Sequence, residues 1–283
     1  MMSKLFVVVL SIAAPVAANG GWEFDVEFGN FSVPHDVAVD SHGDVYVLDG
    51  GNRRVQVFTA DGEYLREITG FLTPRGVAID ENDVVYVLEG CRVHRFTPTF
   101  DPLGSWDSCI GQGDLQTGRG IDVKNGVVYV ATANNLLEFS TDGAYLDQFP
   151  LGWTGVRVSA DDTIWVVSVD TYVVRHYSAD GDVLAEWSTL LPGEGTSTAT
   201  RIDVDSNERI FVNDQGGRVK IFRSDGVLDD LVNVGLRIAI AVELDGDTVL
   251  YVGTASPDRV MRFHYQPLAV SPATWGSIKS QFR

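Results

Sequence analysis

Between residues 31 and 68 the chain alternates short apolar runs with turn-forming residues. The runs fall at 36–39, 45–48, 55–58 and 64–68, and the gaps hold Asp40-Ser41-His42-Gly43, Asp49-Gly50-Gly51-Asn52 and Thr59-Ala60-Asp61-Gly62. Runs this short, rich in valine and aromatics and broken by Asp, Gly and Asn, predict antiparallel strands joined by hairpins rather than helices. One four-stranded sheet cannot bury both of its faces, so the unit must recur to be stable.

It does recur. An aromatic followed by valine marks the second strand at Tyr46, Tyr86, Tyr129, Trp165 and Phe211, and again at Tyr251. A second aromatic series ends the third strand at Phe58, Phe96, Phe139, Tyr177, Phe222 and Phe263, in step with the first. Four copies then place an Asp-Gly turn at 61–62, 142–143, 180–181 and 225–226, and this pair supplies the positive φ of a tight hairpin. The second copy has a longer loop, 98–102, in its place. Five copies show a fourth strand behind the third, and the sixth runs out at Phe263. Residues 22–28, WEFDVEF, alternate like a half-buried strand and can supply the missing one, closing the ring and removing a sheet edge. The expected fold is all-β: a six-bladed propeller of four-stranded antiparallel blades closed by its N-terminal strand.

Several pieces resemble the NHL-repeat family of propellers: Pro34-x-x-Val-Ala-Val-Asp40, Val45-Tyr-Val-x-Asp49, Asn52-x-Arg-Val-Gln-Val-Phe58 and Asp61-Gly62. The resemblance covers nearly all of 22–266, and is strong in copies one, two and five and weak in three, four and six. It implies the fold firmly and the activity loosely, because related propellers bind proteins, bind RNA, or act as lyases and lactonases.

With 283 residues and 45% hydrophobic content, one closed propeller accounts for the length. The expected organisation is a signal peptide at 1–18, a propeller at 19–266 with its closing strand at 22–28 and repeats from about 31, and a tail at 267–283. Lys4, the apolar stretch 5–14 and the small residues Val16-Ala17-Ala18 form the secretory pattern. That apolar stretch is shorter than the ~20 residues a transmembrane helix needs. A secreted or periplasmic, monomeric protein is expected. In such a compartment two cysteines invite pairing. A hairpin register with Phe96 opposite Gly104 places Cys91 opposite Cys109, predicting a cross-strand disulfide.

The net charge of −18, from 39 acids and 21 bases, argues against nucleic acid, which needs a basic face. No metalloprotease, nucleophile-elbow, phosphate-loop or dinucleotide motif is present. The five histidines fall at different places in the repeat and do not reproduce the convergent set of the propeller amidating lyases. Neither a catalytic residue nor a cofactor is assigned. Asp203-x-Asp205-x-Asn207 begins like a calcium loop, but Glu208 stands where glycine is required, so a structural turn is the stronger reading. Arg54, Arg92, Arg218 and Arg259 recur in register on third strands, with Asp49 and Asp214 before them, as intra-blade ion pairs would. Tyr64, Trp106 and Trp187 read as packing between blades.

The first strands of such propellers line the central channel. The position after Pro34 reads His35, Arg75, Arg119, Thr154, Thr200 and Ile240 around the ring, and the next brings Asp36 and Arg201. Two readings follow. His35, Arg75, Arg119 and Arg201 form an anion-binding mouth, with Arg75 and Arg119 as bidentate donors; or the arginines pair with Asp36 and neighbouring carbonyls to hold the first strands together, the stronger reading. Residues 267–283 carry Trp275, Ile278 and Phe282 at helical spacing, as a docking tail or a segment folded back on the propeller. The functional expectation is a non-catalytic module binding an extracellular or periplasmic protein or a small anionic ligand. The alternative is a propeller lyase or lactone hydrolase with a metal-assisted site at the channel mouth.

Overall fold

The computed structural model describes residues 21–108, 118–149, 154–196, 199–214, 216–235 and 238–267. These hold twenty-four strands, β1 to β24 in chain order, in six four-stranded antiparallel sheets, and no helix. Five blades are built from consecutive strands, beginning at β2 (Pro34–Val39), β6 (Pro74–Ile79), β10 (Gly120–Lys124), β14 (Gly155–Val158) and β18 (Ile202–Val204). The sixth begins at β22 (Ile238–Asp245), and its outermost strand is β1 (Gly21–Phe28), paired with β24 (Arg259–Gln266) from Gly21↔Gln266 to Phe28↔Val260. The ring is therefore closed by the N-terminal strand, as the alternation at 22–28 predicts. The signal-peptide residues, Cys109 and the tail residues Trp275, Ile278 and Phe282 lie outside the described residues.

Valine-rich second and third strands pack between neighbouring blades. Val45, Tyr46, Val47 and Leu48 are all fully buried, and their counterparts in the other blades are buried too. The Asp-Gly turns show why glycine is needed there. Gly62, Gly143, Gly181 and Gly226 all have positive φ, and a Cβ on each would strike an aromatic of the preceding blade: Phe28, Trp106, Phe149 and Trp187, at 2.4–2.7 Å. Each outer-strand aromatic thus plugs into the next blade's turn. Tyr64 is an exception to the sequence reading, since it is 47% exposed and touches Phe58 of its own blade.

The second blade corrects one predicted register. Strand β8 (Arg92–Phe96) pairs with β9 (Pro102–Asp107) as Arg95↔Gly104, and a bulge then sets Phe96 opposite Pro102. The same bulge stands at the corresponding aromatic of the first, third, fourth and fifth blades, and it displaces the pairing by one residue, so Phe96 does not face Gly104. At the far end of the hairpin the Ser108 amide donates to the Cys91 carbonyl at 2.7 Å.

Candidate functional site

The first strands converge on the ring axis, and their inward residues form layers. Opposite the recurring aromatics Tyr46, Tyr86, Tyr129, Trp165, Phe211 and Tyr251 stand Ala38, Ala78, Asp122, Arg157, Asp203 and Glu243. Two residues earlier, nearer the upper face where Pro34 and Pro74 begin their strands, lie Asp36, Gly76 and Arg201.

Three aspartates join the blades in pairs. Asp36 accepts the Val77 amide at 3.1 Å, Asp122 the Val158 amide at 2.7 Å and Asp203 the Leu244 amide at 2.6 Å. Each also accepts the amide of its own following residue. Blades one, three and five thereby grip blades two, four and six. The turns below repeat the arrangement: Ser41 donates to Asp83, Asn125 to Asp162 and Ser206 to Asp247.

Two arginines span the channel between these aspartates. Arg157 Nε forms an ion pair with Asp203 Oδ1 at 2.7 Å, while its Nη1 lies 3.7 Å from Asp122 and donates to Glu243 Oε2 at 3.5 Å. Burial works against its charge, but Asp203, Glu243 and Asp122 outweigh burial and raise its pKa. Burial has the opposite consequence for the acids, pushing Asp36 and Asp122 up, Asp203 up to about 6 and Glu243 well above the usual carboxylate range. The second arginine, Arg201, donates Nε to Asp36 Oδ1 at 2.8 Å and Nη2 to the Arg75 carbonyl at 2.5 Å. It crosses beneath the upper mouth.

This geometry separates the four residues assigned from sequence to that mouth. Arg201 is committed to Asp36 and to the carbonyls of Arg75 and Thr200, as the strand-holding reading expects. Arg119 pairs with Asp170 at 3.3 Å in an exposed contact. His35 lies against Gly50, close enough that a Cβ there would meet its ring at 2.4 Å. Burial lowers its pKa against the opposing contact of its Nδ1 with the Pro74 carbonyl at 3.4 Å, and Arg201 and Arg75 add to the lowering. Arg75 is exposed, with no hydrogen bond or ion pair from its guanidinium among the described residues. The Ile240 side chain lies outside the described set.

Below Arg201 the axis widens into a cavity of ≈ 320 Å³ that opens on the lower face. Its wall includes Asp36, Asp122, Arg157, Arg201 and Glu243. Sequence reasoning missed Arg157 and Glu243. The available signal was a charged residue at a first-strand position where the regular copies carry Ala38 and Ala78.

The other sequence candidates fall into structural roles. Asp205 Oδ1 accepts the amides of Asn207 and Arg209 as a turn cap, and its other oxygen takes Arg209 Nε at 2.6 Å. Arg54 pairs with Asp49 at 2.8 Å and Arg218 with Asp214 at 2.5 Å, giving the expected intra-blade ion pairs. In blade two the partner of Glu89 is instead His94 at 2.9 Å. Among the described residues one group meets metal-ligand spacing, Asp40, His42 and Asp83, on the lower rim. Its Asp83 is already engaged by the Ser41 amide and hydroxyl, each at 2.8 Å.

The chain is thus a β-propeller of six blades with an ionic network at its hub. The NHL-repeat family matches residues 31–58. No match was found among curated protein sequences. Solved structures of similar fold include a luciferin-regenerating enzyme, at TM-score 0.71 and 13% identity over 88% of this chain and 97% of that one. A streptogramin B lyase aligns at TM-score 0.65 and 12% identity, over 89% of this chain and 100% of the other. The WD40 propeller domain of Doa1 aligns at TM-score 0.62 and 15% identity, over 86% and 97%. Likeness at this identity establishes the architecture and transfers no catalytic residue.

Proposed function

We propose that this protein is an exported binding module that receives a carboxylate or other small anion, free or on a partner protein, at the upper mouth of its channel. The observation that carries the reading is the division of labour between Arg201 and Arg75. Arg201 is spent on Asp36 and bridges the channel below the mouth. Arg75 stands exposed above that bridge, with no partner to its guanidinium among the described residues. Arg119 joins it by releasing Asp170, an exposed pair of the kind worth less than about 1 kcal/mol. A guanidinium in that position offers two parallel donors to a carboxylate. Export rests on the secretory pattern at 1–18, and the Cys91–Cys109 pairing belongs to the same proposal.

The test is a thermal-shift and calorimetric titration with sulfate, citrate and a short polyglutamate peptide. Stabilisation that disappears in the Arg75→Ala/Arg119→Ala double variant supports the reading. An unchanged response in that variant removes it. A stoichiometric divalent metal in the purified protein would shift the assignment to a lyase or lactone hydrolase.

A further inference from the structure

We propose that the lower cavity of the channel is a second binding site, independent of the upper mouth, and that its ligand is a small organic ammonium ion. Three observations converge on it.

The first is room. Ala38 and Ala78 occupy the layer in which the other four blades place Asp122, Arg157, Asp203 and Glu243, so in that layer blades one and two bring only methyl groups to the axis. The resulting cavity of ≈ 320 Å³ lies within the size range of small-molecule sites. Arg201 and Asp36 form its roof, and its entrance is on the lower face.

The second is charge. Asp36, Asp122, Asp203 and Glu243 put four carboxyl groups around the axis, against the two guanidinium groups of Arg157 and Arg201. Asp36, Asp122 and Asp203 are satisfied by backbone amides as well as by arginine. Glu243 is not. It lines the cavity with 12% of its side chain exposed, and its only polar contact among the described residues is Arg157, at 3.5 Å through Oε2. No donor reaches its Oε1 among the described residues. A nearly buried carboxyl without a proper partner is costly unless protonated or matched by a cation.

The third is spacing, which selects an organic cation over a metal. A divalent ion needs several oxygens at 2.0–2.6 Å, hence close to one another. The channel acids do not cluster in this way: among the described residues the one group of three within 4.8 Å is Asp40, His42 and Asp83. An ammonium group needs one carboxylate at about 2.8 Å, and its alkyl chain can lie against Ala38, Ala78 and Val77. Glu243 has a raised proton affinity when the cavity is empty. Entry of an ammonium ion would then leave it a carboxylate and release its proton.

The test is isothermal titration of the intact protein at pH 7 with methyl-, propyl- and butylammonium chloride and putrescine, in buffers of different ionisation enthalpy. Sodium and calcium chloride at matched ionic strength serve as controls. Saturable binding at one site, a net release of protons, and at least a tenfold loss in Glu243→Gln are expected. The Arg75→Ala variant should bind the amines unchanged, which separates this site from the upper mouth. If Glu243→Gln fails to fold, Ser41→Trp at the lower entrance gives the same reading by obstructing access. Absence of saturable amine binding, equal affinity in Glu243→Gln, or calcium binding more tightly than any amine would overturn the proposal.

Discussion

Arg201 Nε and Asp36 Oδ1, 165 residues apart in sequence, meet at 2.8 Å across the channel and tie the fifth blade to the first. The pair sits under the upper mouth with both side chains largely buried, at 12% and 7% exposure. Asp36 also receives the amides of Val37 and Val77, so its carboxylate serves three donors while Arg201 serves several acceptors.

Breaking such a pair from either side leaves a buried charge without its counterpart, a loss of about 3–5 kcal/mol. Arg201→Met is expected to fall in that range. Asp36→Ala is expected to cost at least as much, because the Val77 amide loses its acceptor too. The two effects should be non-additive, with a coupling of about 0.5–3 kcal/mol in a double-mutant cycle. Urea denaturation of the four proteins measures this, and strict additivity would show that the residues do not act as a pair.

Lys220 is a second buried charge with an assignable task. It has no exposed surface, and its Nζ donates to the Thr189 carbonyl at 2.8 Å and to Glu194 at 2.7 Å. Burial alone would raise the pKa of Glu194. Lys220, the Leu191 amide and Arg218 reverse this and hold it at about 2. Because the folded value lies below the ordinary 4.5, this contribution is present above that pH and fades as pH falls toward 2. Lys220→Met should therefore destabilise the protein at pH 7 by about 3–5 kcal/mol and make the remaining stability less sensitive to acid. It should also open residues 189–196 to proteolysis. Equal cleavage of variant and parent there would dissociate Lys220 from the loop.

The parts of this molecule that repeat could be read from sequence, and the hub could not. Tyr46, Phe58 and Asp61-Gly62 recur because each blade solves the same packing problem, so their spacing exposes the architecture. Phe28 was readable because closing a ring requires a strand from outside the sixth repeat. Arg157 and Glu243 break the repeat at a position filled by Ala38 and Ala78, and a search for regularity passes over such departures. The bulge at Phe96, shared with Phe58, Phe139, Tyr177 and Phe222, escaped because pairing residues by a constant sum assumes an unbroken ladder. The mouth arginines were found together but differ in fate, since the acceptors Asp36 and Asp170 are brought to them only by folding.

The closing strand should carry more stability than its length suggests. Phe28 is 4% exposed, packs 5.3 Å from the Phe58 ring and fills the space above Gly62 in blade one. At its other end Trp22 stands edge-on to Phe211 of blade five at 5.5 Å, beneath the guanidinium of Arg209. A single strand therefore touches the blades on both sides of its own. Phe28→Ala alone should cost about 3–5 kcal/mol. Deleting residues 21–28 should abolish a single cooperative thermal transition and expose β24 as a free edge, promoting association. Sedimentation velocity and calorimetry together check both consequences, and a monomeric variant with an unchanged transition would refute closure by this strand.

Glu138 should make stability depend on pH in a direction unusual for a carboxylate. It lies directly opposite Asp147 in the third blade, and no ion pair reaches it among the described residues. The corresponding cross-strand pair in blade one is Val57 and Arg66, with Arg66 donating to the Tyr46 hydroxyl at 2.7 Å. Blade three thus places two acids beside Tyr129 where blade one places a cation. Burial first, and Asp147 second, push the pKa of Glu138 up to about 7 from an ordinary 4.5. Between those values the folded protein holds a proton that the unfolded chain releases, so this contribution is full below 4.5 and is lost as pH rises through 7. Glu138→Gln keeps the shape and removes the titration. The variant should match the parent at pH 4.5 and exceed it in urea midpoint at pH 8, with the difference growing mostly between pH 5 and 7. Parallel pH profiles for the two proteins would mean that the Glu138–Asp147 pair is relieved by solvent, and would locate the acid-range dependence in the hub carboxyls instead.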